Sequence, residues 1–168
     1  HIFIHHVTDY RENLTHKFPH FLLSRACDDE PADGDSYHPV FVPGTNGRYV
    51  VFVSRATNLD CSINRGDYPL DNPNAPLHQR RANLFLLDRN GGSISLISKN
   101  TNGKPANGAS EYPAVTVYKE TTDSEPILYI AFQSSASDLV LNDTNGFTDI
   151  FLYTAHLNTP NNGGIQRI

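Results

Sequence analysis

The chain has 168 residues, 38% of them hydrophobic and 18% charged, with a formal net charge of −5. It is too rich in Tyr, Phe, Val, Ile and Leu to be disordered, and it lacks a basic cluster beyond Arg80-Arg81. Nucleic acid is therefore disfavoured as a partner, since neutralising phosphates needs a Lys/Arg surface. No apolar run approaches the roughly eighteen residues of a membrane helix, so no membrane insertion is expected.

In chain order, the apolar segments are short, β-branched or aromatic, and bounded by Gly, Pro, Asn and Asp. "HIFIHH" (1–6) and "FLLS" (21–24) come first, followed by the turn-rich "SRACDDEPADGDSYHP" (24–39). "YVVFVSRATNL" (49–59) leads through a long Pro-rich connection (60–82) into "NLFLLD" (83–88) and "SLIS" (95–98). The second turn-rich stretch, "SKNTNGKPANGASEYP" (98–113), precedes "YIAFQSSASDL" (129–139), "DIFLYT" (149–154) and a closing "GIQRI". This is strand and turn patterning, and no ten-residue stretch has helical periodicity.

The two turn-rich stretches align without a gap at an offset of 74, Ser24, Pro31, Ala32, Gly34, Ser36 and Pro39 falling on Ser98, Pro105, Ala106, Gly108, Ser110 and Pro113. Asp33-Gly34 and Asn107-Gly108 read as equivalent tight-turn dipeptides. "YVVFVSRATNL" and "YIAFQSSASDL" align at an offset of 80, and "NLFLLD", "DIFLYT" and "HIFIHH" share one pattern. The chain reads as strands three and four of one unit (1–24), a four-stranded unit (36–98) and another (110–168). Repeated four-stranded antiparallel units are the grammar of a β-propeller, so the expected fold class is all-β, with about two and a half blades present.

"RYVVFVSRATNL", "ILYIAFQSSASDLVLNDTNGFTDIFLYT" and "ISLISKNTNGKPANGASEYPAV" resemble the repeats of TolB-type (WD-like) β-propellers, over about residues 20–168. The resemblance implies that Pro39 and Pro113 open the innermost strands, with Gly34 and Gly108 in structural turns. The chain departs from the pattern in the swollen 60–82 connection and in the turn "YKETTDSEP" (118–126). Closed propellers use roughly four to eight blades, and the chain begins at His1 without a methionine. It is thus expected to be part of a larger propeller, the remaining blades coming from a parent chain or an assembly.

Blade grammar puts Cys27 and Cys61 in connections that emerge close together on one face, where they would form a disulfide or remain two buried thiols. A bridge would imply an oxidising compartment, hence an extracellular or periplasmic location. The sequons at Asn13 and Asn142 fit that location. In "NDTNGFTD" (142–149), Asp143, Asn145 and Asp149 offer oxygen ligands spaced for a structural calcium ion, with Asn102 or Asn107 as further donors. The alternative is an Asx-turn network without an ion. Asp60, Asp67 and Asp71 form a broken version of that loop, and the acidic run Asp28, Asp29, Glu30, Asp33 and Asp35 reads as a solvated rim. Copper at His1 with His5 or His6 is disfavoured, because His1 aligns with Asn83 and Asp149 just before a mid-repeat strand, and His5 and His6, being adjacent, face opposite sides of a strand and would not share one ion.

No nucleophile elbow or other catalytic pattern is present. The expected function is a non-catalytic propeller scaffold of an exported protein that binds a protein or glycan partner, the 62–81 loop being the recognition candidate. The alternatives are the propeller part of a larger hydrolase (a peptidase or glycosidase) and a subunit of a filament or surface layer.

Overall fold

The computed structural model describes residues 1–5, 20–26, 30–69 and 80–168. Within them the chain is all-β, apart from one 3-10 turn at Arg65–Asp67. A hairpin of β1 (Phe3–His5) and β2 (His20–Leu22) comes first. The middle sheet takes β3 (Ser36–Phe41), β4 (Tyr49–Ser54), β5 (Asn83–Asp88) and β6 (Ser93–Leu96) in sequence order, all antiparallel. The last sheet repeats that meander with β7 (Ser110–Tyr118), β8 (Ile127–Ser134), β9 (Asp149–His156) and β10 (Gly164–Arg167).

Burial along the strands shows how the sheets are layered. All six residues of β4, "YVVFVS", are buried, as are five of the six in β5, "NLFLLD". Runs that are apolar at every position belong to strands covered on both faces. One face of the middle sheet, with Val50, Phe52, Phe85 and Leu87, packs on Ile2 and Leu23 beside the hairpin. The other face, with Val51, Val53, Leu84 and Leu86, packs on Leu128, Ile130, Phe132, Phe151 and Tyr153 of the last sheet. In the last sheet β8 alternates between half-buried and buried residues, the mark of a sheet covered on one side only.

Phe52 faces Phe85 across β4 and β5, with stacked rings 5.7 Å apart, and Phe132 faces Phe151 across β8 and β9 at 5.9 Å. These pairs hold equivalent positions of the repeat, and each points toward the preceding layer. The sheets therefore stack head to tail. They approach most closely through their first strands, since β7 lies against β3, β4 and β5 while β6 and β10 do not touch. The resulting wedge holds a cavity of about 370 Å³ with Leu96, Ile97, Tyr153 and Ile165 in its walls.

The turn-rich stretches bind the layers to themselves by the same bonds in each copy. Arg25 bridges Pro31 as Lys99 bridges Pro105. Ser24 Oγ accepts from the Ile2 N–H and Ser98 Oγ from the Leu84 N–H, both at 3.0 Å. The Ser36–Ser54 and Ser110–Ser134 hydroxyl pairs, at 2.9 and 3.0 Å, lock the start of each first strand to the end of the second.

One expectation about turn residues needs correcting. Pro39 and Pro113 do not open their strands: each is the fourth residue, at a register shift between Tyr37 and Val40 or between Glu111 and Ala114. A proline cannot donate to the ladder, and a bulge on an edge strand is where that loss is tolerated. Gly34 and Gly108 lie at bends, without positive φ. They are needed for space, because a Cβ on Gly34 would lie 2.7 Å from the Ala56 nitrogen and one on Gly108 2.3 Å from the Ala136 nitrogen. Gly108→Ala should therefore destabilise the fold by about 1–3 kcal/mol in urea titrations. Gly91→Ala, whose Cβ would meet Ser93 Oγ at an ordinary 3.8 Å, should change stability by less than about 0.5 kcal/mol.

Candidate functional site

Among the described residues, polar side chains gather at the heads of the first strands, in the turn after each second strand and in the loop before β9. At the heads of β3 and β7, equivalent residues of neighbouring sheets meet. Tyr37 donates its phenol to Glu111 Oε1 at 2.7 Å, and the Arg55 guanidinium stands 3.9 Å from that oxygen and 5.9 Å from the Tyr37 ring centre. Burial, reinforced by the bond to Glu111, pushes the Tyr37 phenol up to about 12, so it stays protonated and donates at neutral pH. Arg55 also donates to the Arg80 carbonyl.

One residue further on, His38 and Tyr112 place their rings 5.2 Å apart at 36°, and the Tyr37 ring meets His38 edge-on at 5.1 Å. Both His38 and Tyr112 are exposed, Tyr112 at 60%. Both also have left-handed backbones, with φ of +50° and +55°. A non-glycine residue pays about 1–3 kcal/mol for that conformation, and the following proline disfavours it further. Reading the repeat as turns hid this cluster. The signal was nonetheless in the sequence, where Tyr37-His38-Pro39 aligns with Glu111-Tyr112-Pro113.

At the second place, Asp33 accepts from the Thr57 N–H and hydroxyl and from Arg80, at 2.7–2.8 Å, while its own N–H donates to Asn58 Oδ1. In the other copy the amide of Asn107 exchanges two bonds with Ser137, and its N–H donates to Asp138 Oδ1. Each copy thus holds one carboxylate and one amide, in exchanged positions. Burial raises the pKa of Asp33, but the hydrogen bonds from Thr57 and Arg80 outweigh it and hold the carboxyl below its usual value.

At the third place the proposed calcium ligands do come together. Asn145 Nδ2 donates to Asp149 Oδ2 at 2.8 Å, and Arg167 reaches Asp143 Oδ1 at 2.8 Å and Asp149 Oδ2 at 3.4 Å. The guanidinium from β10 stands among the oxygens a hard cation would need, and Asp143 is almost wholly enclosed, its side chain 3% exposed. Asn107 is committed to Ser137 and contributes nothing there. The corresponding Asp60 is also buried, accepting from Ser62 and from the Leu96 N–H at 2.7 Å, and Asp67 pairs with Lys104 at 2.9 Å.

Cys61 lies exposed in a turn and is not a free thiol. Cys27, Asp28, Asp29, Asp71, His6, Asn13 and loop residues 70–79 lie outside the described residues. Asn142, of the second sequon, is exposed with φ +64°. The chain matches no family model, no curated protein and no solved structure.

The depressed pKa of Asp33 fixes the sign of a pH effect. Its contribution to stability is complete above the ordinary carboxylate value of about 4 and is lost as pH falls through the lower folded value. Asp33→Asn should lower the melting temperature at pH 7 and reduce its fall between about pH 5 and pH 3, read by circular dichroism melts.

Proposed function

We propose that the hairpin and the two sheets are successive blades of a TolB-type β-propeller, acting as a rigid, non-catalytic scaffold that binds a protein or glycan partner outside the cell or in the periplasm. The observation that carries this reading is the head-to-tail stacking. The face of the middle sheet with Val51 and Leu84 receives the last sheet, and the equivalent face of the last sheet, with Tyr129, Ala131 and Leu152, receives none among the described residues. Ile150 and Leu141 are 50% and 78% exposed on the same sheet and in the loop leading to it. A face whose counterpart is covered, and which is itself half-buried and apolar, suits a further blade from a parent chain or an assembly.

The wedge between β6 and β10 supports the same reading, because blades that radiate from an axis converge at their first strands and diverge at their fourth. A Cys27–Cys61 bridge would clip the long connection after β4 and fits an oxidising compartment. The described part of that connection is anchored by the Lys104–Asp67 pair and by buried Tyr68, so it can present residues 62–69 as a recognition surface.

The outward face provides the test. In sedimentation velocity the chain should self-associate as concentration rises, and Ala131→Glu with Leu152→Glu should leave a monomer of unchanged melting temperature. A monodisperse wild-type monomer that binds no apolar dye would refute the blade reading, and the absence of a two-dalton mass gain on reduction would remove the bridge. Calcium remains a proposal for the Asp143 loop, in competition with Arg167. Titration calorimetry should give weak or no heat for the wild type and measurable binding for Arg167→Gln. Silence from both proteins would retire the ion.

A further inference from the structure

The left-handed backbones of His38 and Tyr112, each inside the register shift of its strand, carry a conformational cost. Glycine or asparagine would fill an αL position with less strain, and a ring that stays in water contributes little hydrophobic burial. Yet the chain sets a large ring at this position in both copies, exposes both rings and brings them within 5.2 Å of each other. The support beneath them is stiff, since the Tyr37–Glu111 bond ties the two first strands together and Arg55 braces it. A strained pair of exposed rings on a braced base is what a preformed stacking surface needs.

We propose that His38 and Tyr112 form a ledge that stacks a neutral saccharide, with Glu111 accepting one of its hydroxyls. The inference needs only the two sheets as they stand and does not depend on further blades. The electron-rich face of an aromatic ring attracts the weakly positive C–H face of a pyranose. Glu111 Oε1 already takes the Tyr37 phenol, which leaves Oε2 for a ligand hydroxyl, and no described residue bonds it. A nucleic acid fits poorly on a chain of net charge −5 without a basic cluster. An extended peptide fits poorly too, because the bulges between Tyr37 and Val40 and between Glu111 and Ala114 interrupt the edge ladder that strand addition would use. The cation–π position over Tyr37 is occupied by Arg55.

The test is affinity electrophoresis of the whole chain through native gels containing barley β-glucan, xylan, galactomannan or hydroxyethyl cellulose, alongside thermal melts. Wild type should be retarded in at least one gel, and Tyr112→Phe should keep that retardation. Tyr112→Asn and His38→Asn should each weaken it at least tenfold while leaving the melting temperature unchanged or raised, because asparagine relieves the strain. No retardation in any gel would overturn the proposal, as would retardation that survives both asparagine variants. So would loss of retardation accompanied by a fall of several degrees in melting temperature, which would make the rings structural supports.

Discussion

A four-stranded sheet has two faces and cannot hide both. Everything else in this structure follows from that constraint. The middle sheet meets it with neighbours on either side, which is why β4 and β5 are apolar at successive positions where a sheet with one wet face would alternate. Burying Phe52 and Phe85 on one side and Val53 and Leu84 on the other places two hydrophobic clusters back to back through a single sheet. A large-to-small change at Phe52 would act on the cluster shared with the hairpin, and one at Leu84 on the cluster shared with the last sheet.

Apolar packing does not fix which edge of one sheet meets which edge of the next; the polar groups do. The paired serines at the strand heads, the Tyr37–Glu111 bond between sheets and the carboxylate–amide clamps behind the second strands all lie toward the converging side. The serine pairs and clamps fix each unit internally, and the Tyr37–Glu111 bond, with Arg55 beside it, ties the first strand of one sheet to the first strand of the next. The cavity opens on the opposite side, between β6 and β10.

The strands were legible because each is a short apolar run between turn residues, and the repeat fixed their order with no appeal to tertiary contacts. The turns were less legible. Glycine and proline announce that the backbone does something unusual without saying what, and two different demands share the same letters. Gly108 serves close approach of two backbones, whereas Gly47 serves a positive φ. Pro39 marks a bulge inside a strand and not its start. Asp143, Asn145 and Asp149 could be grouped from their spacing, but the arrival of Arg167 from a strand 18 residues beyond Asp149 could not. The aromatic pair was hidden for a related reason: its members are 74 residues apart and meet only because equivalent positions of stacked repeats become neighbours.

Two copies of one motif in a single chain invite each loop to clasp the wrong partner. The exchanged acid and amide of the two clamps work against this error. If the loop with Asp33 settled on the turn with Asp138, its backbone N–H would still find an acceptor, but a second carboxylate would be brought into the same clamp, and the loop with Asn107 would bring an amide to an amide. Like charge thus penalises one of the crossed pairings, and the two similar pieces are biased toward a single order of assembly.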